Sequence, residues 1–498
     1  MKTSITRRRA VKEAVRDTSD GRIADALRAL VAESNPGARV PSLRELCASY
    51  RASPVTVHRA ISQLAREGLV VARPGDGTYV ARRPADTAPL DSSWQLSVLG
   101  SAPDPLPGVM FEPPSGLLLG TGYPDVALQP LNLLMKAARR ASSRERAWDR
   151  VPPEGSAELR AWFARDVGGD ATAADVLIVP GGQAALAATF RTLVPFGGPM
   201  IVESPTYFGA LGVLRSLGLR AVPVAVDEHG MRTDLLEAAL ASSKARAVYL
   251  QPAFANPTGV SLSAARRAEV LELVARAGAF VIEDDYARDL AFSSAPPAPL
   301  FRAAGDHVIY IRSLTKSTAP GLRVAGIVAR GPVRRRLRLL RAVEDWFFTG
   351  LLQDTALELV TTPAWQRHLL ELRQTLRARQ AETVRALGQH WPEARLARVP
   401  DGGFSLWLEL PPGRDDLEFA RAAAARGVQI SPGSPWFAAE PPGAFVRLSI
   451  ASASTTDLVQ GVELLGQVSR ELGDGSRDRT AKGAAASPKR RRGHRERS

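Results

Sequence analysis

A lysine set between a hydroxyl residue and an arginine can bond an aldehyde while its neighbours hold a phosphate. Residues 313–326 read Ser313-Leu-Thr-Lys316-Ser-Thr-Ala-Pro-Gly-Leu-Arg323-Val-Ala-Gly, with too many prolines and glycines for an ordinary helix. Lys316 offers the amine, and Ser313 and Arg323 offer phosphate donors, arginine through its planar fork. A lysine alone is ordinarily a solvated surface residue; these neighbours set Lys316 apart.

Other segments offer what such a lysine needs around an aromatic cofactor. Phe280-Val-Ile-Glu-Asp284-Asp-Tyr286 is an apolar strand ending in acids, the edge at which open α/β sheets place ligands. A carboxylate at Asp284 keeps a pyridine nitrogen protonated, so the ring draws electrons from a carbanion at an amino acid's α-carbon. Tyr286 and Asn256, the latter in Asn-Pro-Thr-Gly, are placed to bond a ring hydroxyl. Gly181-Gly182-Gln183 follows the apolar run Val176 to Val179 and opens a helix whose free N–H groups and dipole receive a phosphate. Tyr207, in Glu-Ser-Pro-Thr-Tyr-Phe-Gly, is placed to stack on the ring, and Arg447, in Phe445-Val-Arg447-Leu-Ser, to fork an α-carboxylate. Each motif alone reads as a turn, a core aromatic or a surface charge. Together they call for pyridoxal phosphate, and no metal is expected.

In order and spacing over residues 115–470 these motifs resemble the aspartate aminotransferase family of fold type I. The resemblance implies a mostly parallel sheet with helices on both faces, a homodimer with active sites at the subunit interface, and the roles above for Asn256, Asp284, Tyr286, Lys316, Arg323 and Arg447. Two departures stand out. Residues 150–154 read Arg150-Val-Pro-Pro-Glu where many relatives carry a tyrosine that reaches the other subunit's phosphate, and Gly182 stands where a serine or other small residue is common. Asn256 is retained.

The elements that must position these groups follow from the pattern. Apolar runs such as Met200 to Val202, Ala247 to Leu250 and Phe280 to Ile282, separated by helical periodicity, predict an α/β domain with largely parallel strands. Before it lies a smaller unit. Ile23, Leu27, Leu30 and Val31 mark one helix; Ser42 and Glu45 form a capping box for a second, holding Leu43, Leu46 and Cys47. Ser53 and Pro54 start a third, with Val57, Ile61 and Leu64 on its buried face and Thr56, His58 and Arg59 on the other. Leu69 to Val71, a turn from Arg73 to Gly77, and Thr78 to Val80 predict a hairpin. A sharp helical pair followed by a hairpin is a winged helix-turn-helix.

Pro-Ser-x-Arg-Glu-Leu, Thr-Val-x-Arg-Ala, Glu-Gly-Leu and Gly-x-Gly-Thr-Tyr-Val, in that order, resemble the GntR family. The candidate DNA contacts are Arg44, Ser53, Thr56, His58, Arg59, Arg73 and Gly77. Many relatives carry arginine at the position of Pro54; its absence predicts a changed base preference with phosphate binding retained. A GntR head fused to an aminotransferase-like domain resembles the MocR-type regulators. That resemblance implies DNA half-sites and an amino acid or amine effector as partners, sensed through an aldimine on Lys316. A working aminotransferase with an accessory head is the alternative.

Composition fits both readings. With 45% hydrophobic and 23% charged residues the chain reads as globular, and it has no apolar run of membrane length, so a cytoplasmic location is expected. The net charge of +14 lies mostly in two tails, +5 in residues 1–16 and +7 in residues 477–498, and favours an anionic partner. The single cysteine, Cys47, excludes an internal disulfide framework. The expected divisions are a head at 15–83, a proline-rich linker at 84–114, the cofactor domain at 115–470 and a disordered basic tail at 471–498.

Overall fold

Two side-chain caps start the helices of the head. Ser42 Oγ accepts the Glu45 N–H at 3.3 Å while Glu45 Oε2 accepts the Ser42 N–H at 2.7 Å, opening the helix Leu43–Tyr50. Ser53 Oγ accepts the Thr56 N–H at 3.2 Å, and Pro54 begins the helix Pro54–Arg66. With the helix Ser19–Glu33 these surround Ile23, Leu27, Val31, Leu46, Val57 and Leu64. The hairpin pairs β1 (Val70–Arg73) with β2 (Gly77–Val80), closing the core with Val70 and Val80. Leu30 and Leu43, expected inside, are 36% and 40% exposed, because a core this small covers only a narrow stripe of each helix. Cys47 is half-buried against the same core.

The computed structural model describes residues 19–73, 75–81, 94–95, 116–292 and 295–485. The chain divides into two compact units, Met1–Pro103 and Asp104–Ser498. Apart from Trp94, exposed, and Gln95, the expected linker lies outside the described residues up to 115, as do residues 1–16 and the charges of the far C-terminus.

In the second unit a short strand, β3 (Leu117–Leu118), precedes a sheet of eight strands. These are β4 (Val176–Val179), β5 (Pro199–Ser204), β6 (Arg220–Asp227), β7 (Gly230–Met231), β8 (Ala247–Leu250), β9 (Phe280–Asp285), β10 (Val308–Ser313) and β11 (Ala325–Val328), in the order β4-β11-β10-β9-β8-β5-β6-β7. The pairs from β6 through β5, β8 and β9 to β10 are parallel; β11 opposes both its neighbours and β7 opposes β6. Both faces are covered. Val176, Ile178, Val248, Leu250 and Val281 enter one core, and Leu177, Val179, Ala247, Tyr249 and Ile282 the other, which is why these strands are continuously apolar.

A third core lies around the smaller sheet of β12 (Arg395–Leu396), β13 (Ser405–Glu409), β15 (Ser431–Pro432) and β16 (Phe445–Ser449), with β14 (Val428–Gln429) paired to β3. The helix Pro363–His390 joins the two regions: Trp365 and Leu369 pack in the large-sheet core, Leu372, Leu376 and Leu387 in the small-sheet core. The final helix, Thr455–Ala485, crosses the boundary expected at 470, and Leu472 still packs on the small-sheet core, so the disorder expected from 471 does not begin there. Leu465, Val468 and Leu472, at helical spacing, carry the packed part of this helix as far as 472.

Candidate functional site

Parallel strands end on one edge of a sheet, and the loops there gather residues far apart in sequence. After β4, Gly181 (φ +89°) caps the helix Gly182–Leu193, whose N-terminus no side chain caps. Arg323 lies against it, its Nη2 donating to the Pro180 carbonyl at 3.2 Å. A Cβ at Gly181 would meet that Nη2 at 2.7 Å, whereas one at Gly182 would rest 3.8 Å from Ser313 Cβ, an ordinary contact. Gly181 therefore keeps a cradle open for backbone N–H groups, Arg323 and Ser313; Gly182 is glycine without spatial need. Arg150, in the stretch where many relatives carry that tyrosine, is exposed with its N–H bonded to Asp149.

Lys316 Nζ donates to the Gly122 carbonyl at 2.9 Å and lies 3.9 Å over the Tyr123 ring. A Cβ on Gly122 would be 3.9 Å from Lys316 Nζ and 3.6 Å from Arg447 Nη1, so one short segment separates the amine from the guanidinium. Arg447, buried on β16, stacks over Trp436 at 4.8 Å and donates to Asn256 Oδ1 at 3.4 Å, to Ser405 Oγ at 3.5 Å and to the Gly120 carbonyl. Its Nε is buried without a partner. Asp284, on β9, accepts Tyr249 Oη and Gln251 Nε2, each at 2.8 Å, on one oxygen. Tyr286 donates its hydroxyl to the Phe254 carbonyl at 2.7 Å. Tyr207 donates to Gln183 Oε1 at 3.2 Å, and Gln183 Nε2 to the Gly209 carbonyl at 2.8 Å, so Gln183 anchors the tyrosine with its side chain.

Gly122, Tyr123, Tyr249, Gln251, Ser405 and Trp436 were absent from the sequence-derived set. The glycines flanking Thr121 before Tyr123 were the available signal for the first two. The others lie inside apolar stretches where only tertiary contact reveals them.

In the head, His58 and Arg59 are exposed on the helix Pro54–Arg66 and Arg44 is exposed on the preceding one. Ser53 and Thr56 pair their hydroxyls at 2.9 Å, so Ser53 is occupied with the helix start. Arg73 stacks over Tyr79 at 4.4 Å on the wing. Arg39, another residue not anticipated, donates Nη2 to the Asp76 carbonyl at 2.8 Å and would crowd a Cβ at Gly77 at 3.0 Å. Val40 and Ala38 pair their backbone with Thr78 and Val80 at 2.8 Å, adding a third extended segment to the wing.

Known proteins share both units. Residues 114–465 match the model for aminotransferase class I and II, and residues 20–80 that for bacterial regulatory proteins, gntR family. The chain belongs to the aminotransferase class I and II family. With its GntR head it has the MocR-type architecture. It is 30% identical to the Escherichia coli uncharacterized HTH-type transcriptional regulator YdcR, over 90% of this chain and 98% of that one. It is 33% identical to the Salmonella typhimurium vitamin B6 salvage pathway transcriptional repressor PtsJ, over 74% and 80%. Among solved structures, LysN, an α-aminoadipate aminotransferase from Thermus thermophilus complexed with N-(5'-phosphopyridoxyl)-L-leucine, matches with a TM-score of 0.68 at 32% identity, covering 72% of this chain and 92% of that one.

Pyridoxal phosphate is the cofactor of this aminotransferase fold, and the residues suit it: a cradle that a Cβ would fill, an amine, a buried acid and an arginine with an unpartnered Nε. Burial and the charges of Arg447 and Arg323 bring the Lys316 amine down to about 7, with Asp284 opposing. Burial pushes the Asp284 carboxyl up to about 6, against the donors Gln251 and Tyr249. Burial likewise lowers Arg447 to about 10. Only the neutral amine attacks an aldehyde, so with Lys316 as the capturing group, cofactor capture by the cofactor-free chain should rise with pH and reach half its plateau near 7. Stopped-flow absorbance across a pH series measures this, and a rate still climbing towards pH 10 would assign capture to an unperturbed amine.

Gly181→Ala tests the cradle. Its backbone conformation is one only glycine adopts readily, and the new Cβ crowds Arg323. A strain of about 1–3 kcal/mol beside Arg323 should weaken cofactor binding roughly fivefold to 150-fold. Fluorescence titration with pyridoxal phosphate reads the effect, and Gly182→Ala serves as the tolerant control.

Proposed function

We propose that this chain is a pyridoxal phosphate-dependent, DNA-binding transcription regulator that senses an amino acid or amine in its aminotransferase-like domain. One observation carries the reading: the Lys316 amine and the Arg447 guanidinium face a single glycine, Gly122, from 3.9 and 3.6 Å of its would-be Cβ, so groups suited to an amino compound and its carboxylate converge in a chain that also bears a winged head. Bound pyridoxal phosphate supplies an aldehyde for amines and a ring that withdraws electrons. Around it Lys316 holds or moves the proton at its own nitrogen. Ser313, Arg323 and the N–H groups of Gly182 and Gln183 hold the phosphate, and Tyr207 flanks the ring. Asp284 takes the ring nitrogen, Tyr286 and the Asn256 amide nitrogen its hydroxyl, and Arg447 the effector carboxylate.

In the head, Arg44, Thr56, His58 and Arg59 approach DNA from the helices, and Arg73 and Gly77 from the wing. Ser53 acts by starting the reading helix. A cytoplasmic homodimer would set two heads on paired half-sites; Met135, Val343 and Trp346, 55%, 81% and 74% exposed, are apolar side chains suited to burial between copies. Effector binding then biases head placement through differential affinity for two arrangements.

Footprinting of the promoter beside its own gene, with pyridoxal phosphate present and amino compounds added in turn, tests the reading. Protection that changes with an amino compound is the expected result. Rapid multiple turnover with a 2-oxo acid and no protection of any promoter fragment would establish the transaminase alternative. Protection that changes with the cofactor alone would make the cofactor itself the signal.

A further inference from the structure

Gln251, 2% exposed just past the end of β8, makes three polar links in three directions. Its backbone N–H donates to Glu203 Oε2 at 2.9 Å, its Nε2 to Asp284 Oδ2 at 2.8 Å, and its Oε1 accepts the Asn256 N–H at 2.9 Å. Tyr249, two residues earlier on the same face of the strand, gives Asp284 a second donor at 2.8 Å. Asn256 in turn holds Arg447 and Ser405 through Oδ1. Strands β5 and β9, and the loop just after β8 between them, thus supply Glu203, Asp284 and Gln251 to one connected group.

We propose that Gln251 is a positioning residue that ties the carboxylate of Asp284 to the turn bearing Asn256, setting the acid at the ring nitrogen and the Asn256–Arg447 pair at the effector carboxylate in one register. This rests on the pyridoxal phosphate reading above. An amide does this work because it donates on one side and accepts on the other. Its donation, with that of Tyr249, favours the anionic form of a carboxylate that burial otherwise protonates. Glu203 fixes the Gln251 backbone N–H from behind, and burial raises its carboxyl to about 8, so at neutral pH Glu203 adds no negative charge; Asp285, next in the chain, is the carboxylate whose charge raises Asp284.

The test uses the full-length chain loaded with pyridoxal phosphate and reads two quantities: the pH midpoint of its visible absorbance and its affinity for amino acids. Without the Gln251 donor Asp284 competes better for the ring-nitrogen proton; the less positive ring then releases its other proton at higher pH. Gln251→Leu should raise the midpoint by about one pH unit, weaken cofactor binding roughly tenfold, and weaken amino acid binding as well. Gln251→Glu keeps the shape and the acceptor for Asn256 but replaces the donor with a like charge, so it should raise the midpoint further; a purely structural role would be rescued by it. Tyr249→Phe removes the other side-chain donor to Asp284 and keeps the link from Gln251 to Asn256, so it should raise the midpoint with a smaller loss of amino acid affinity than Gln251→Leu. It also serves if Gln251→Leu fails to fold. A normal band in the parent chain with unmoved midpoints in Gln251→Glu and Tyr249→Phe overturns the proposal alone. No band in the parent overturns the cofactor reading, and this proposal with it.

Discussion

Lys316→Ala should leave a chain that shows no lysine-dependent visible absorbance with pyridoxal phosphate and no response of its DNA complex to any amino compound. Among the described residues the other lysines are Lys136 and Lys244, both exposed, and Lys482, near the end of the helix Thr455–Ala485, whereas Lys316 Nζ sits at the Gly122 carbonyl beside Asp284 and Arg447. Phosphate binding by the proposed cradle should survive the substitution, so the cofactor should still be held, more weakly and without the band. Nonspecific DNA affinity should change little, because the positive charge that drives it lies in the head and the terminal segments. Absorbance titration paired with a mobility-shift assay separates the two effects. A retained band would remove Lys316 from its role, and a collapse of nonspecific DNA binding would show that the lysine acts through folding.

The second large effect concerns what the site recognises. Arg447→Leu removes a buried guanidinium that Asn256, Ser405 and the Gly120 carbonyl orient, and whose Nε has no protein partner. Losing one partner of a buried charge pair costs about 2–5 kcal/mol, so affinity for α-amino acids should fall roughly thirtyfold to several thousandfold. The matching amines, which lack the carboxylate, should lose little. The substitution also removes the stronger of the two positive charges that, after burial, lower the Lys316 amine, so the pH midpoint of cofactor capture should move upward from about 7. Titrating the loaded chain with an amino acid and its decarboxylated counterpart gives the two affinities. Equal losses for the two ligands would place the carboxylate elsewhere.

Much of the site was legible because its chemistry is local. Lys316 was recognisable from Ser313 and Arg323, and Asp284 from its place at the end of an apolar strand, since both signals need only a few adjacent residues. The contacts of Asp284 were not legible. Tyr249 and Gln251 sit in and after a strand that reads simply as apolar, and their meaning depends on β8 lying beside β9 in register, Tyr249 opposite Ile282. Asn256 was read as a partner of a ring hydroxyl, and the fold turns its oxygen to Arg447 and Ser405, 191 and 149 residues away. In the head, Ser53 was read as a DNA contact as well as a cap, and the structure engages its hydroxyl with Thr56.

By itself the sequence determined the two units, the apolar strands of a doubly covered sheet, the capped helices of a winged head, and a lysine with a hydroxyl residue and an arginine close by in the chain. These follow from periodicity, caps and short-range chemistry, which act within a few residues. Only the tertiary structure decided that Gly122 lies between Lys316 and Arg447, that Gly181 and not Gly182 needs to be glycine, and that Gln251 links Asp284 to Asn256. Those are distances between strand ends, and parallel pairing brings such ends together only after long crossovers, so no local pattern records them.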